Sequence, residues 1–594
     1  MTRRFVATLV LLGALLFAVT EPGFFTIDEQ NHLAMVVSYR HGRVTLPGLD
    51  RLTPSNELAF YDPDFHAAPA APPLQDLPPL YGVLALPFAA FGLRGLIALN
   101  TLSFLGTAAL LFAYVRRHAS ASVTPWLAAG AFVFASHGME YALGVWPHSA
   151  SVLLCTGAFV LAARARERDD LRWAALAGLC GGIAAGVRYP NAVYAACVGV
   201  ALFLWAPRRW ESSVSFGFAA AGPLLASSFL NHARLGSWNP ISKRPGYLAF
   251  VADSAAPTRP MEAVRDWGLS LWSRVVDDAV RPAEISRALA LTLEPESGAF
   301  TVYGVVKKAW LQSSPWVALA LIAGAVAWWP RATAGEDPRR REMRACSLPI
   351  AGMLAMFALA GVARSDGMSF NARYLLDLVP LACALMAWSL DGTRLSLRVT
   401  SLGATLAAIA AACTLHALEF PPRAAAERWV PLAIAALLSM AFVLRARTLD
   451  RNVFAGLLGA ALGWSAIIHL GHDVRVSLER RREVATLRAE VPGRLPEHSA
   501  VLTWGIYRSL VAAEQIEHDL VILDCSRDRG HDAMALVWQL LRERRRVFIL
   551  ANGFPARLRG ELMKRFGEAR WLRGHVTFVE LQLSAQDEAF EPRT

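Results

Sequence analysis

Charge is scarce in this chain. Asp, Glu, Lys and Arg make up 18% of its 594 residues, where an average soluble domain carries roughly a quarter. A soluble chain of this length would also divide into several cores, each with a polar surface of its own. Cysteine is sparse too. Of the seven, Cys155, Cys180, Cys197, Cys383 and Cys413 lie inside apolar blocks, Cys346 starts one and Cys525 stands alone in a polar region. No pair has metal-ligand spacing, which argues against a structural zinc site and a disulfide framework alike. A nucleotide-binding glycine loop is missing as well. "GLCGGIAAG" has no strand before it, and Gly182 and Gly186, four residues apart, suit close helix packing in lipid better than a phosphate.

The chain has instead a hydrophobic content of 55%, gathered into blocks of about 16 to 22 residues, the length that crosses a bilayer. This is the pattern of a polytopic α-helical membrane protein. The net charge of +11 sits in short arginine clusters between those blocks. Lipid orientation selects that distribution, whereas nucleic-acid binding would gather the charge into a patch. The first block, Phe5 to Thr20, follows Arg3 and Arg4. Its end, "FAVTEPG", is a poor cleavage site because Thr20 is large, so an uncleaved anchor is expected.

Apolar length and arginine placement together predict about thirteen spans. The basic loops "YVRRHAS", "ARARERDDLR", "APRRWE", "PRATAGEDPRRREMR", "DGTRLSLR" and "RARTLDR" fall on one side only if Pro78 to Gly92 does not cross. That piece opens with two prolines and is interrupted by Pro87, so it reads as a helix in the outer interface. The outside then receives Glu21 to Leu93, Asn231 to Lys308 and the tail after His469. The resulting division is a membrane module at 1–235 with its first outer loop at 21–93, a second outer loop at 236–309, further spans at 310–470, and an extracytoplasmic domain at 471–594. In that tail "SAVLTW", "DLVILDC", "RVFILANG" and "VTFVELQL" read as strands. "YRSLVAAEQIE", "AMALVWQLLRERR" and "RLRGELMKRFG" read as helices between them, which predicts a small α/β domain with a mainly parallel sheet.

The polar residues of the outer loops carry the candidate chemistry. In "TIDEQNHLAMVVSYRHG", Thr26 and Glu29 fit a capping box and Asp28 suits the first turn of a helix. Leu33, Val36 and Val37 would form the apolar side of that interfacial helix, and Gly42 would end it. Capping accounts for Glu29 but does not require Asp28. Asp62, Asp64, His66 and Asp76 share this loop; Glu140 and His148 flank the next outer turn; Arg188 lies in "VRYPN"; Arg364, Asp366 and Arg373 lie in "ARSDGMSFNAR". Acids and bases thus gather at the outer helix ends, while the middles of the spans are nearly free of charge. A transporter would more often place such groups near the midplane. "HLGHD", His469 to Asp473, has the spacing of a metal pair but closes the last span.

The order of anchor, "DE", long loop, "PPLY…FG" and an apolar run ending "RR" resembles the GT-C membrane glycosyltransferases, among them the protein O-mannosyltransferases and the aminoarabinose transferases. "LNHARLGSWNP", "SSPWVALALIAGAVAWW" and "DGMSFNARYLLDLVPLACAL" resemble segments of uncharacterised bacterial members. The resemblance implies a polyprenyl-phosphate sugar as donor, an extracytoplasmic site on a bacterial inner membrane, and a first-loop acid at a glycan, lipid or protein acceptor. Asp28 occupies that position and is expected to act as the base, with Glu29 as cap or helper. A phosphate leaves as an anion and needs cations rather than an acid, and arginine suits it. Arg188 and Arg373, with His148 behind them, are expected there, and Asp76 and Tyr374 join the substrate-binding set. Tyr81 and Trp146 have an ordinary reading as interfacial aromatics. Asp76 and Asp377 depart from the residues usual in relatives, which leaves the sugar and acceptor open. No cofactor is called for, and a divalent metal is left open. The alternatives are a transporter or flippase of lipid-linked glycans and a non-catalytic envelope assembly protein.

Overall fold

The computed structural model describes residues 2–42, 44, 77–240, 260–277, 292–294, 299–302, 305–330, 337–359, 372–392, 395–444, 450–491, 494–497, 499–504, 520–525, 533–542, 544–574 and 576–582. Asp62, Asp64, His66, Asp76, Arg364, Asp366 and the expected helix "YRSLVAAEQIE" lie outside them.

An anchor, α1 (Arg3–Val19), leads to α2 (Ile27–Arg40) and the short α3 (Leu80–Ala89). Next come α4 (Gly92–His118), α5 (Thr124–Phe134), α6 (Gly138–Ala142), α7 (His148–Arg168), α8 (Leu171–Val187), α9 (Asn191–Trp205) and α10 (Arg209–Leu235). The second loop contributes α11 (Pro260–Val275) and an antiparallel sheet of β1 (Thr292–Glu294), β2 (Ala299–Val302) and β3 (Val305–Val306). The apolar part resumes with α12 (Trp310–Ser313), α13 (Val317–Trp328) and α14 (Pro338–Leu359). A 3₁₀ turn at Arg373–Leu378 then precedes α15 (Val379–Leu390), α16 (Leu397–Ala417), α17 (Pro422–Leu444) and α18 (Arg451–Ala466).

Among the described residues, eight helical stretches are long and apolar enough to cross a membrane, and five apolar helices are shorter. This is a multi-pass membrane protein. The ten residues of α3 rise about 15 Å, half of a hydrocarbon core of roughly 30 Å. The glycines of α8 pack as expected: a Cβ on Gly182 would run into the Ala220 carbonyl of α10, and one on Gly186 into Leu80 and Ser227. Backbones approach this closely only where side chains are small.

Two sequence expectations for α2 need correction. Thr26 holds the N-cap position but makes no side-chain cap hydrogen bond, and the Glu29 carboxylate that would complete the box goes to Arg481 instead. Nor is α2 a surface helix with one apolar side. Leu33, Ala34, Met35, Val36 and the polar Glu29, Gln30, His32 and Ser38 are all buried, with Glu29 under Arg481 of the tail and His32 against Tyr81 of α3.

That tail begins without a break in the last apolar helix. A π-helical segment, Ile467–Asp473, joins α18 to α19 (Val474–Glu490). Beyond it lie β4 (Ala500–Thr503), β5 (Val521–Asp524), α20 (Ala533–Arg542), β6 (Val547–Leu550), α21 (Ala556–Phe566), β7 (Glu568–Leu572) and β8 (Phe578–Leu581). The sheet order is β5-β4-β6-β8-β7. β4 pairs in parallel with β5 and β6, while β8 runs antiparallel to β6 and β7. All four expected strands form, but the sheet is only half parallel, because the unforeseen β7 makes a hairpin with β8. One apolar cluster runs from Phe24, Met35 and Val36 through Val484 and Val491 to Val501, Phe548 and Phe578. The tail therefore packs directly on the first loop.

Buried ion pairs fasten the remaining connections. Lys308 donates to Asp473 at 2.9 Å and Glu427 at 3.4 Å, and all three side chains are fully buried. Burial opposes the lysine's charge, but Asp473 and Glu427 outweigh it and raise its pKa. Arg428 of α17 grips Asp277 with both ends of its fork, at 2.7–3.0 Å. At the other end of the bundle Arg166 and Tyr114 both donate to Glu342. α11 is built inside out: Ser270, Ser273 and Arg274 are buried, whereas Val264, Trp267, Leu271 and Trp272 are exposed.

Candidate active site

The candidate site gathers where α2, the 3₁₀ turn, the start of α7 and the end of α8 meet. Each element ends there for a local reason. Pro147 precedes α7, so His148 is its first residue. Arg188 caps α8 in extended backbone just before Tyr189 and Pro190, which cannot continue the helix. "RYLLDL" winds as a 3₁₀ turn, and its Arg373 and Tyr374 meet the residues of the other elements.

Arg373 Nη1 donates to Asp28 Oδ2 at 2.9 Å; the Asp28 side chain is 44% exposed and that of Arg373 13%. The Arg373 guanidinium lies 5.7 Å over the Trp146 ring and 5.3 Å over Tyr374. Arg188 approaches the same Tyr374 ring at 5.3 Å, so one aromatic ring serves two cations. Arg188 is held by Asp377 at 2.5 Å. Asp377 accepts from Ser151 at 2.7 Å, and Asn191 donates to Ser151 in turn. The unusual Asp377 thus has a structural role: it orients Arg188, whose Nη2 is buried without a protein partner. His148 stacks on Tyr141 at 4.7 Å and meets the edge of Trp146 at 5.1 Å. Both its ring nitrogens are buried without a protein partner, and the Arg188 and Arg373 guanidiniums are its charged neighbours.

Asp28, His148, Arg188, Arg373 and Tyr374 are therefore brought together. Glu29 is not. It is fully buried, and Arg481 of α19 binds both its oxygens at 2.6 Å. Adjacent helix positions point about 100° apart, so the two acids face different partners. Tyr81 is buried under α2 against His32 and accepts from Asn100 at 3.1 Å. Glu140 is buried and an electrostatic neighbour of Lys308. In "HLGHD", Asp473 pairs with Lys308. Among the described residues, no group of three or more His, Cys, Asp or Glu side chains is placed to hold a metal ion.

Two residues of this region escaped the sequence reading. His32 stands one helical turn after Asp28, a spacing visible in the quoted stretch. Burial pushes its pKa down to about 4, with Asp28 pulling the other way. Arg481 sits in a run of arginines, and nothing local tied it to Glu29.

No protein-family model and no curated protein matches the sequence. Solved structures do. The described residues have a GT-C-like membrane fold. It is similar to the structure of ArnT from Cupriavidus metallidurans bound to undecaprenyl phosphate, with a TM-score of 0.53, 12% identity, and coverage of 98% of this chain and 99% of that one. Against the apo state of the same protein the TM-score is 0.51, the identity 12% and the coverage 97% of each chain. At this identity the likeness is one of fold.

Proposed function

We propose that the protein is a membrane glycosyltransferase that moves a sugar from a polyprenyl-phosphate donor to a glycan, lipid or protein acceptor, with Asp28 as general base. The observation that carries this reading is the Asp28–Arg373 pair: a partly exposed carboxylate 2.9 Å from a guanidinium, in a fold shared with a protein solved with undecaprenyl phosphate bound. The acceptor hydroxyl gives its proton to the Asp28 carboxylate as its oxygen bonds to the anomeric carbon. The bond from that carbon to the phosphate oxygen breaks, and polyprenyl phosphate leaves as an anion. Arg373 serves both sides of this exchange. It holds Asp28 through Nη1, while its Nε is buried without a protein partner. Arg188 and His148 add further donors for the leaving phosphate. The site and the tail belong, on this reading, to the extracytoplasmic face of a bacterial inner membrane.

The test compares wild type with Asp28→Asn in lipid, over a panel of polyprenyl-phosphate sugars and acceptors. Turnover by wild type, with Asp28→Asn still binding donor but at least about 10²-fold slower, is the expected result. Wild-type protein that binds donors and never turns them over, whatever the acceptor, would remove the enzyme reading.

A further inference from the structure

Arg481 is among the largest fully buried side chains of the described residues, and both its terminal nitrogens bond across element boundaries while Nε bonds within its own helix. Nη1 reaches Glu29 Oε2 at 2.6 Å and the Gly23 carbonyl at 3.0 Å; Nη2 reaches Glu29 Oε1 at 2.6 Å; Nε reaches Ser477 at 3.3 Å. Glu29 Oε2 also accepts the Val145 N–H at 3.3 Å. The room for this contact is made by two glycines. A Cβ on Gly23 would strike the Arg481 carbonyl, and one on Gly144 would strike its guanidinium. The arginine therefore joins three pieces of chain: its own α19, the entry to α2, and the turn at 144–145.

Two of those pieces carry the candidate site. Glu29 is adjacent to Asp28 in the first turn of α2, and Val145 is adjacent to Trp146, the ring beneath Arg373. Holding the Glu29 carboxylate between the Arg481 guanidinium and the Val145 N–H fixes the rotation of α2 about its axis and the distance from Asp28 to the Arg373 platform. A buried ion pair contributes little to net stability, because desolvation of both charges offsets their attraction, and apolar replacements of similar volume are often neutral. The arrangement reads better as a device for register.

We infer that Arg481 is a positioning residue for the site, through which the helix leading into the C-terminal sheet sets the orientation of α2 and hence of Asp28. This rests on the proposed role of Asp28 for its catalytic meaning, but not for its structural one.

The test is the double variant Glu29→Leu/Arg481→Met, which removes the pair without leaving a buried charge, read beside Arg481→Lys, which keeps the charge and loses the fork. Two measurements are made on protein in nanodiscs: amide hydrogen exchange of the peptide covering Ile27–Arg40, and steady-state kinetics. In the double variant we expect a thermal midpoint near that of wild type and exchange in the first turn of α2 about tenfold faster. The kcat should fall on the order of 10²-fold, with KM within about threefold. Unchanged exchange, or wild-type kcat, in the folded double variant overturns the inference. Should the double variant not fold, Arg481→Lys is judged by the same two readings. Should wild type turn over no donor, the enzyme reading fails by itself, and the exchange result alone decides whether the tail positions α2.

Discussion

Arg373 binds Asp28 by one nitrogen of a planar fork and is flanked by the rings of Trp146 and Tyr374. A lysine at this position could keep the charge but not the planar fork that aims separate nitrogens at Asp28 and at a second acceptor. Arg373→Lys is therefore expected to keep its folded yield and lose on the order of 10²-fold in kcat/KM, measured with whichever donor wild type accepts. His32 gives a second prediction at this scale. Its neutral ring is buried near Asp28, Arg373 and Arg234, with a pKa lowered from 6.5 to about 4. A depressed folded pKa means that the group's contribution to stability is whole above 6.5 and is lost as pH falls through 4. That loss amounts to roughly 3 kcal/mol for a shift of this size. His32→Gln should flatten the acid limb of a thermal-midpoint profile between pH 6.5 and 4. An unchanged limb would place the acid sensitivity in other groups. The pairing of Asp28 with Arg373 was half legible: both residues were singled out, but 345 positions separate them and no local pattern joins them.

At the scale of elements, periodicity foretold what depends on neighbours in sequence. The strands β4, β5, β6 and β8, the helices α20 and α21, and the close packing of α8 were all readable from residue type and spacing. What depends on distant partners was not. The expected capping box at Thr26 is not made, and its glutamate half is lost because Arg481 takes the Glu29 carboxylate. β7 was missed because "EARWL" mixes charge with aromatics and pairs only through β8. α11 raises a different point, since its serines and Arg274 face the protein while Trp267 and Trp272 face out. In water that polarity would be costly, whereas tryptophans facing outward are usual at a bilayer interface. A nitroxide on Leu271→Cys, in a Cys413→Ser background reconstituted in phosphatidylcholine vesicles, should be relaxed more by oxygen than by a water-soluble nickel chelate. A label on the exposed Arg557→Cys of the tail should show the reverse. Preference for the chelate at 271 would show that α11 stands clear of the membrane.

For the whole molecule, composition settled the class, and the order of short motifs pointed to the GT-C fold that the ArnT structures share. The attachments between parts were hidden, because a buried lysine or arginine looks in sequence like any other basic residue. Lys308 is the clearest case. It precedes α12 in a stretch with no distinguishing pattern, yet it ties the second loop to α17 and the π-helical segment through Glu427 and Asp473. Lys308→Met leaves two carboxylates buried together and should destabilise the protein by about 3–5 kcal/mol. Denaturation in detergent micelles would read this as a clear drop in midpoint. A variant that also carries Asp473→Leu should recover part of the loss.

The pair of Glu29 and Arg481 also sets a clock. Their contact spans 452 positions, and a ribosome adding about 5–20 residues per second needs on the order of 20 to 90 s to cover that stretch. During synthesis the acid of the first loop has already reached the membrane surface while its arginine has yet to be made. The contact that holds the first turn of α2 can therefore form only after α18 and the start of α19 have been synthesised.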